Sequence, residues 1–189
     1  VLLETIRNAE RHLLVEFYIW ENDKAGRTVR DALVQAARRG VEVRVLVDEI
    51  GSLTLRHSFF AELEQAGGRF SWFHTFSPWR GRFHLNLRNH RKLLIADGTT
   101  ALTGGMNVGN DYWGGAGQPP WRDLAVLMRG PVVTQLVEVF AQDWLFATAE
   151  ALTSHDYYPD QTEQGDMTVQ VVPGVSSAAF RIRVHPAAR

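Results

Sequence analysis

The chain has 189 residues, of which 45% are hydrophobic and 22% are charged, as is typical of a globular domain with a sizeable core. Its formal net charge of -1 excludes a uniformly basic nucleic-acid-binding protein, so any anion site must be a local patch. The lack of cysteine excludes disulfides and thiolate metal sites, and no apolar run reaches the ~18 residues that span a bilayer.

Helices and strands are predicted to alternate along the chain. The first part of the chain predicts a helix over 2–11, a strand over 13–20, a helix through Val29, Ala32, Leu33 and Ala36, and a strand over 41–47. The middle predicts a helix around Phe59, Phe60 and Leu63, a strand over 69–73, and paired strands over 92–96 and 100–103. After these we predict a strand at Ala125 and Leu127 and a long helix that starts at Pro131. This alternation indicates a layered α/β fold.

The C-terminal part has a different pattern. Residues 149–166 are polar and acidic, which predicts a linker. Residues 167–172 then predict an isolated strand, which needs a sheet to join, and the tail from Ala178 has no periodicity. At the other end the chain starts at Val1 without methionine and inside a helical pattern, so we expect an upstream segment, with room for a membrane anchor.

The most informative segment lies between Asn89 and Asn107. Asp97-Gly98 stands between two apolar runs and predicts a two-residue hairpin turn. Such a turn makes the numbers of facing residues sum to 195: Ala96 with Thr99, Lys92 with Thr103, and His90 with Gly105. Because strand side chains alternate, His90 and Lys92 are then expected on the face that also carries Thr103, Gly105 and Asn107.

This grouping suits a phosphodiester substrate. Lys92 and Asn107 can donate hydrogen bonds to nonbridging oxygens, and a neutral His90 imidazole can attack phosphorus to give a covalent phosphohistidine. Gly104 and Gly105 are expected to leave room for the ligand near the backbone. A lone histidine on a strand is usually structural, so the prediction depends on the features occurring together.

The same residues resemble a known family. His90, Lys92 and Asp97 match the phospholipase D superfamily signature His-x-Lys-x4-Asp, and Gly104 and Asn107 match its continuation, with Gly105 where many members have serine. The flanking segments resemble bacterial cardiolipin synthases: Glu16-Phe17-Tyr18-Ile19-Trp20, Gly40-Val41-Glu42-Val43-Arg44-Val45-Leu46, Asn89-His90-Arg91-Lys92-Leu93 and Trp121-Arg122-Asp123. The resemblance covers about residues 1–172.

The resemblance implies a phospholipase D-like layered fold in which a mixed β-sheet is flanked by helices, forming one half of a pseudo-two-fold pair. It implies a catalytic half-domain over 1–148, and it makes 167–189 either the start of a second half or an irregular tail. It also implies His90 as the nucleophile, Lys92 and Asn107 as phosphate ligands, and Asp123 as the hydrogen-bond partner of the other His90 ring nitrogen. Asp97 is implied to be a structural anchor, and neither metal nor cofactor is implied.

The sequence departs from the family in having a single motif. Family members carry two, whose histidines meet at the pseudo-two-fold interface, but none of the other six histidines here has lysine two residues later. The site is therefore expected to need either a complementary second half or a homodimeric partner. An inactive half-domain is the third possibility.

Further residues are weaker candidates. Glu16 lies in a very apolar strand and either lines the site or has a structural partner. Arg88 is near enough in sequence to bind a second phosphate, and Asp48 and Glu49 end a strand at a position where α/β sites often gather. The segment 69–92 mixes basic and aromatic residues, which favours either core packing or an anionic lipid surface over single-stranded nucleic acid.

The leading hypothesis is therefore phosphatidyl transfer as in cardiolipin synthase, at a bacterial membrane surface, with a phospholipid substrate. The enzyme is expected to be peripheral, or anchored by an upstream segment. The alternative hypothesis is a homodimeric phosphodiesterase acting on nucleic acid.

Overall fold

The computed structural model describes residues 1–73, 89–114, 119–173 and 180–186. Eight strands are found there: β1 His12–Phe17, β2 Glu42–Asp48, β3 Arg69–Phe73, β4 Lys92–Ala96, β5 Thr100–Gly104, β6 Ala125–Arg129, β7 Met167–Pro173 and β8 Phe180–Pro186. The α-helices of the same ranges are α1 Leu2–Asn8, α2 Lys24–Arg38, α3 Ala61–Gln65, α4 Asn110–Trp113 and α5 Val132–Thr148. Short 3-10 helices cover His57–Phe60 and His155–Tyr157.

A six-stranded mixed sheet in the order β3-β2-β1-β4-β5-β6 forms the centre of the molecule. β1, β2 and β3 are parallel, whereas β4 runs antiparallel to β1 and the pairs β4–β5 and β5–β6 are antiparallel. The two central strands are therefore β1 and β4, which places the end of β1 beside the start of β4. This mixed sheet between helices confirms the predicted layered α/β fold.

Helices cover both faces of the sheet. α1, α2 and α3 pack on one face against residues such as Val15, Val45 and Leu94. α5 packs on the other face against Leu14, Leu46 and Leu93. Because successive strand residues point to opposite faces, burial of both faces explains why these strands are almost continuously apolar.

Several elements differ from their predicted form. α1 ends at Asn8 and β1 at Phe17, both shorter than expected, and Trp20 instead forms a single bridge with Val108. The expected isolated strand at 167–172 is paired with β8, in the tail that showed no periodicity. The short helix α4 was not predicted, because four residues are too few to show a helical period.

The division of the chain at 148 and 166 stays a prediction. β7 lies beside α5, and the Val171 N–H donates to the Gln135 side chain at 3.1 Å.

Within the described ranges, no helix combines the length and apolar character that crossing a bilayer requires.

His12 is a buried histidine at the start of β1. Its side chain is almost inaccessible, and its ring packs edge-on against Tyr157 with 5.0 Å between the ring centroids. Its Nε2 atom has no hydrogen-bond partner among the described residues. Burial lowers the pKa of His12 from 6.5 to about 4, and the charge of Arg11 acts in the same direction.

Replacement of His12 by phenylalanine tests this burial. The unfolded chain protonates His12 near pH 6.5, whereas the folded chain resists protonation down to about pH 4. The folded state therefore loses about 2 kcal/mol between pH 7 and pH 5, because only the unfolded state takes up the proton. We expect His12→Phe to keep the ring contact and to remove this part of the pH dependence, measured by urea unfolding.

The exposed His155 gives the matched control. His155→Phe makes the same exchange at an exposed position, and its loss of stability between pH 7 and pH 5 is measured beside that of His12→Phe. An unchanged acid-side loss of stability in His12→Phe would show that His12 is not the group responsible.

Candidate active site

The hairpin formed by β4 and β5 carries the signature residues. Asp97 and Gly98 both adopt positive φ angles, 56° and 66°, as the predicted turn requires, and the Thr99 N–H donates to the Ala96 carbonyl at 3.1 Å. Pairing then resumes one residue later than expected, with Ala96 opposite Thr100. The predicted register, in which paired numbers sum to 195, is therefore wrong by one residue, because Thr99 stays in the turn.

This shift changes which side chains share a face. Thr103 lies opposite Leu93 rather than Lys92, so it does not join the Lys92 face as predicted. The same register places Gly104 opposite Lys92. The common side of His90 and Lys92 does not depend on the register, because it follows from alternation within one strand.

His90 and Lys92 are in direct contact. Lys92 Nζ lies 2.9 Å from Nδ1 and 3.4 Å from Nε2 of His90, and it donates to the His90 carbonyl oxygen at 2.8 Å. The Tyr18 ring packs on His90 with 4.4 Å between centroids, and Lys92 Nζ lies 5.2 Å from the Tyr18 centroid. His90 is exposed and Lys92 is buried, so the imidazole is the accessible member of the pair.

The electrostatics favour a neutral imidazole beside a cation. Burial and the Lys92 charge both lower the pKa of His90, and the Asp48 charge opposes them. Burial lowers the pKa of Lys92 from 10.5 to about 8, against the charges of Asp123 and Asp48. At neutral pH the pair is therefore a neutral ring nitrogen next to an ammonium group, which suits attack on an anionic diester.

The Asn107 side chain is held by two hydrogen bonds. Its Oδ1 accepts from the Ile19 N–H at 3.0 Å, and its Nδ2 donates to the Tyr112 hydroxyl at 2.8 Å. The amide orientation is thus fixed, and Nδ2 keeps a second hydrogen that can be donated to a phosphate oxygen. The structure brings the His90 imidazole into contact with the Lys92 ammonium. That Asn107 acts with them on a phosphate stays a prediction.

Lys92 and Asn107 line the same cavity, which has a volume of about 480 Å³. Most of the other lining side chains are apolar and come from α1, the β1 end, β5, α4 and β6: Leu2, Leu3, Phe17, Leu102, Met106, Trp113 and Leu127. The cavity therefore combines two hydrogen-bond donors with apolar walls, the usual composition of a site for an amphipathic small molecule.

Gly104 lines the cavity beside Lys92, but the space that a side chain would take at Gly104 or Gly105 is already filled. A Cβ atom on Gly104 would lie 2.1 Å from the Leu124 carbonyl oxygen, and one on Gly105 would lie 2.2 Å from Asp123 Oδ1. Their small size is required by the close approach of the chain around 123–125. Any contact of theirs with substrate through the backbone stays a prediction.

Asp123 does not form the hydrogen bond to His90 that the resemblance implied. Within the described residues its hydrogen bond is local, from the Leu124 N–H to Oδ1 at 2.7 Å, and its side chain is exposed. Lys92 instead lies within reach of both His90 ring nitrogens. Asp123 acts on this pair through its charge, which opposes the lowering of the Lys92 pKa.

Asp97 has the contacts of an anchor. Its carboxylate accepts the backbone N–H groups of Glu10, Arg11 and His12, with its shortest contact, to Arg11, at 2.7 Å. It therefore ties the turn of the hairpin to the start of β1. This position lies at the far end of β4 from His90, so a direct part in the chemistry is not supported.

Glu16 lies on the opposite side of the sheet from Lys92. It pairs with Leu93, whereas its neighbour Phe17 pairs with Lys92. Of the two alternatives for Glu16, a structural partner is present, because the Asn89 side-chain amide donates to it. A contact of Glu16 with substrate stays a prediction. Burial raises the pKa of Glu16 from 4.5 to about 7, against the Arg91 charge and the Asn89 hydrogen bond. Arg88, the other candidate substrate ligand, lies outside the described residues.

Three further residues shape the site and were not assigned to it from the sequence. The Tyr18 ring packs on His90, Asp48 accepts the Asn89 N–H at 3.0 Å, and Asn89 joins Asp48 to Glu16. Of these three, only Asp48 was noted from the sequence as a weaker site candidate, because it ends a strand of an α/β fold.

In the described part of the chain, no three acidic or histidine side chains are grouped as a metal site would need.

Comparison with protein families identifies one match over residues 2–144, with a family described as "Cardiolipin synthase, PLD-like domain". The major cardiolipin synthase ClsA of Bacillus subtilis is 40% identical over 177 residues, which are 90% of this chain and 36% of that protein. Cardiolipin synthase A of Pseudomonas fluorescens is 42% identical over 162 residues, 84% of this chain and 34% of that protein. The chain thus spans about a third of the length of these relatives.

Solved structures show the same fold. Nuc from Salmonella typhimurium, a phospholipase D family member, superposes with a TM-score of 0.58 at 21% identity, covering 81% of this chain and 89% of that one. Phosphatidylserine synthase from Haemophilus influenzae gives a TM-score of 0.57 at 18% identity, covering 83% of this chain and 38% of that one. At these identities the likeness concerns the arrangement of the sheet and helices.

The Lys92 pKa predicts a pH dependence. The ammonium loses its proton as the pH rises through about 8, and with it the charge that would hold a phosphodiester. We expect kcat/KM for a phosphodiester to fall above about pH 8, because this constant reports groups of the free enzyme. Lys92→Arg should lower the rate but remove this fall, since guanidinium stays protonated. An alkaline fall that persists in Lys92→Arg would assign it to another group.

The Asp97 contacts predict an effect on stability rather than on chemistry. Asp97→Ala removes the acceptor for three backbone N–H groups, so we expect the unfolding free energy to fall by about 2–4 kcal/mol. Asp97→Asn keeps one acceptor oxygen and should lose less. Chemical denaturation of the three proteins checks the order, and equal stability of all three would contradict the anchor role.

Proposed function

The chain belongs to the cardiolipin synthase-like domain family of the phospholipase D superfamily, and on this premise we propose that it supplies the nucleophilic half of a phosphatidyl-transfer site. His90 is the proposed nucleophile. The contact between the exposed imidazole and Lys92 Nζ, at 2.9 Å, is the observation that carries the proposal.

In the first proposed step, a neutral His90 ring nitrogen attacks the phosphorus of a phosphatidyl group. A nitrogen–phosphorus bond forms, and the bond from phosphorus to the leaving alcohol oxygen breaks. Lys92 and Asn107 donate to the nonbridging oxygens, where negative charge gathers in the transition state. The low pKa of His90 keeps its nitrogen lone pair available.

In the second proposed step, an acceptor alcohol or water attacks the phosphohistidine and releases His90. The leaving alkoxide of the first step needs a proton, and the acceptor hydroxyl must later give one up. The sequence contains one His-x-Lys, so we propose that a complementary half, or a second copy of the chain, supplies the acid–base group.

The cavity beside Lys92 favours a phospholipid substrate over nucleic acid. Its walls are aliphatic and aromatic, as at Leu102, Met106 and Trp113, and they adjoin the two donors that would hold the phosphate. A diacylglycerol moiety has apolar chains to bury there, whereas a nucleic-acid backbone presents charge and sugars. Such a substrate also places the working enzyme at a membrane surface.

Trapping of the covalent intermediate tests the proposal. We would mix the chain with vesicles that contain a labelled phosphatidyl diester of p-nitrophenol, whose leaving group needs no protonation, so that half a site suffices for the first step. We expect an acid-labile, base-stable phosphoryl label on His90. In His90→Ala, labelling should fall at least about 1,000-fold, because the nucleophile is gone.

The exposed His155 again gives a matched control, and His155→Ala should label like the wild type. Label that persists in His90→Ala, or that a chelator abolishes, would contradict the mechanism.

A DNA oligonucleotide diester offered in parallel identifies the substrate class. Faster reaction with the oligonucleotide would favour the nuclease hypothesis.

A further inference from the structure

A buried polar cluster lies on the side of the sheet opposite Lys92. Glu16 on β1, Asp48 on β2 and Asn89 before β4 are each about 1% exposed, and they meet where β1 and β2 end. Arg91, which forms an ion pair with Asp143 of α5, completes the cluster. The same face carries apolar residues such as Leu14, Leu46 and Leu93, and it also buries Arg44 against Trp144. Charged side chains are costly in such surroundings unless they are paired.

Asn89 is the centre of the cluster and has four hydrogen-bond partners. Its backbone N–H donates to Asp48 Oδ2 at 3.0 Å, and its side-chain amide donates to Glu16 and, at 3.4 Å, to Asp143 Oδ2. Its side-chain oxygen accepts the Arg91 backbone N–H at 3.1 Å. Backbone and side chain are thus both fixed, although residue 89 lies outside the regular part of β4.

We propose that Asn89, clamped between Glu16 and Asp48, is the positioning residue of the nucleophile, a role that rests on the proposed function of His90. Asn89 and His90 share a peptide bond. A fixed position and orientation of residue 89 therefore sets the direction in which the His90 side chain leaves the backbone, toward Tyr18 and Lys92. A misplacement of about 1 Å at a reacting group can cost about 100-fold in rate.

The chemistry of the clamp requires an amide at position 89. Asp48 accepts from the backbone N–H of residue 89, whereas Glu16 accepts from the side chain, so that side chain must donate. The Arg91 N–H needs an acceptor on the same side chain. Asparagine has both functions on a short side chain. Aspartate would face Glu16 with a second carboxylate, and leucine would leave Glu16 without its donor.

An exchange of the hydrogen-bonding partners tests the clamp. Asn89→Asp alone places two carboxylates together, and we expect kcat for the activated phosphatidyl diester to fall about 100-fold. KM should change less than about threefold, because Asn89 does not touch the substrate cavity. Adding Glu16→Gln to Asn89→Asp reverses the donor and acceptor, and this double variant should recover kcat to within about 10-fold of the wild type. A mere loss of folded protein would not give this rescue.

A second readout does not require activity. The His90 ring is titrated by NMR, with its signal assigned by comparison with His90→Ala. We expect Asn89→Asp to move the His90 pKa back toward its ordinary value, because the ring leaves Lys92, and the double variant to restore the lowered pKa. This readout separates the two proposals. If the double variant restores the lowered His90 pKa but no covalent label forms on the wild type, the proposed function is contradicted and the clamp is supported. Wild-type titration and kcat in Asn89→Asp, or no recovery in the folded double variant, would overturn the clamp.

Discussion

The alternation of side chains along the segment from Asn89 to Lys92 is the constraint on which this site depends. An extended chain sends successive side chains to opposite sides. Here the odd positions, Asn89 and Arg91, enter a buried polar cluster on the α5 side, while His90 and Lys92 meet on the other side. Four consecutive residues therefore carry both the His90–Lys92 contact and the polar cluster behind it, and a shift of one residue would exchange the two sides.

Burial of Lys92 serves two requirements that oppose each other. A desolvated ammonium lowers the pKa of His90 and keeps the imidazole neutral, but the same desolvation weakens the charge that must hold the phosphate. A Lys92 pKa of about 8 satisfies both, since roughly nine-tenths of the side chain is still protonated at pH 7. The charges of Asp48 and Asp123 matter here, because they keep the pKa from falling further.

Local patterns in the sequence predicted most of the fold and the reactive pair, because both depend on contacts between near neighbours. The strand runs, the Asp97-Gly98 turn and the shared side of His90 and Lys92 are all of this kind. The register error has a similarly local cause: nothing in the sequence shows that Thr99 stays in the turn. Glu16 and Asp48 lie 73 and 41 residues from Asn89, so their contacts with it depend on strand order, which periodicity does not give.

The geometry of in-line displacement says where the rest of the proposed site must lie. A nucleophile that attacks phosphorus expels the group on the far side, so the acid that protonates the leaving oxygen must face His90 across the phosphate. Tyr18 and Lys92, the described side chains in contact with the His90 ring, stand on the nucleophile's own side. His90 is exposed in front and supported from behind through Asn89. In the proposed mechanism a second set of groups is therefore needed in front of the exposed imidazole, and support from Asn89 behind it would hold the attacking nitrogen in line with the leaving oxygen.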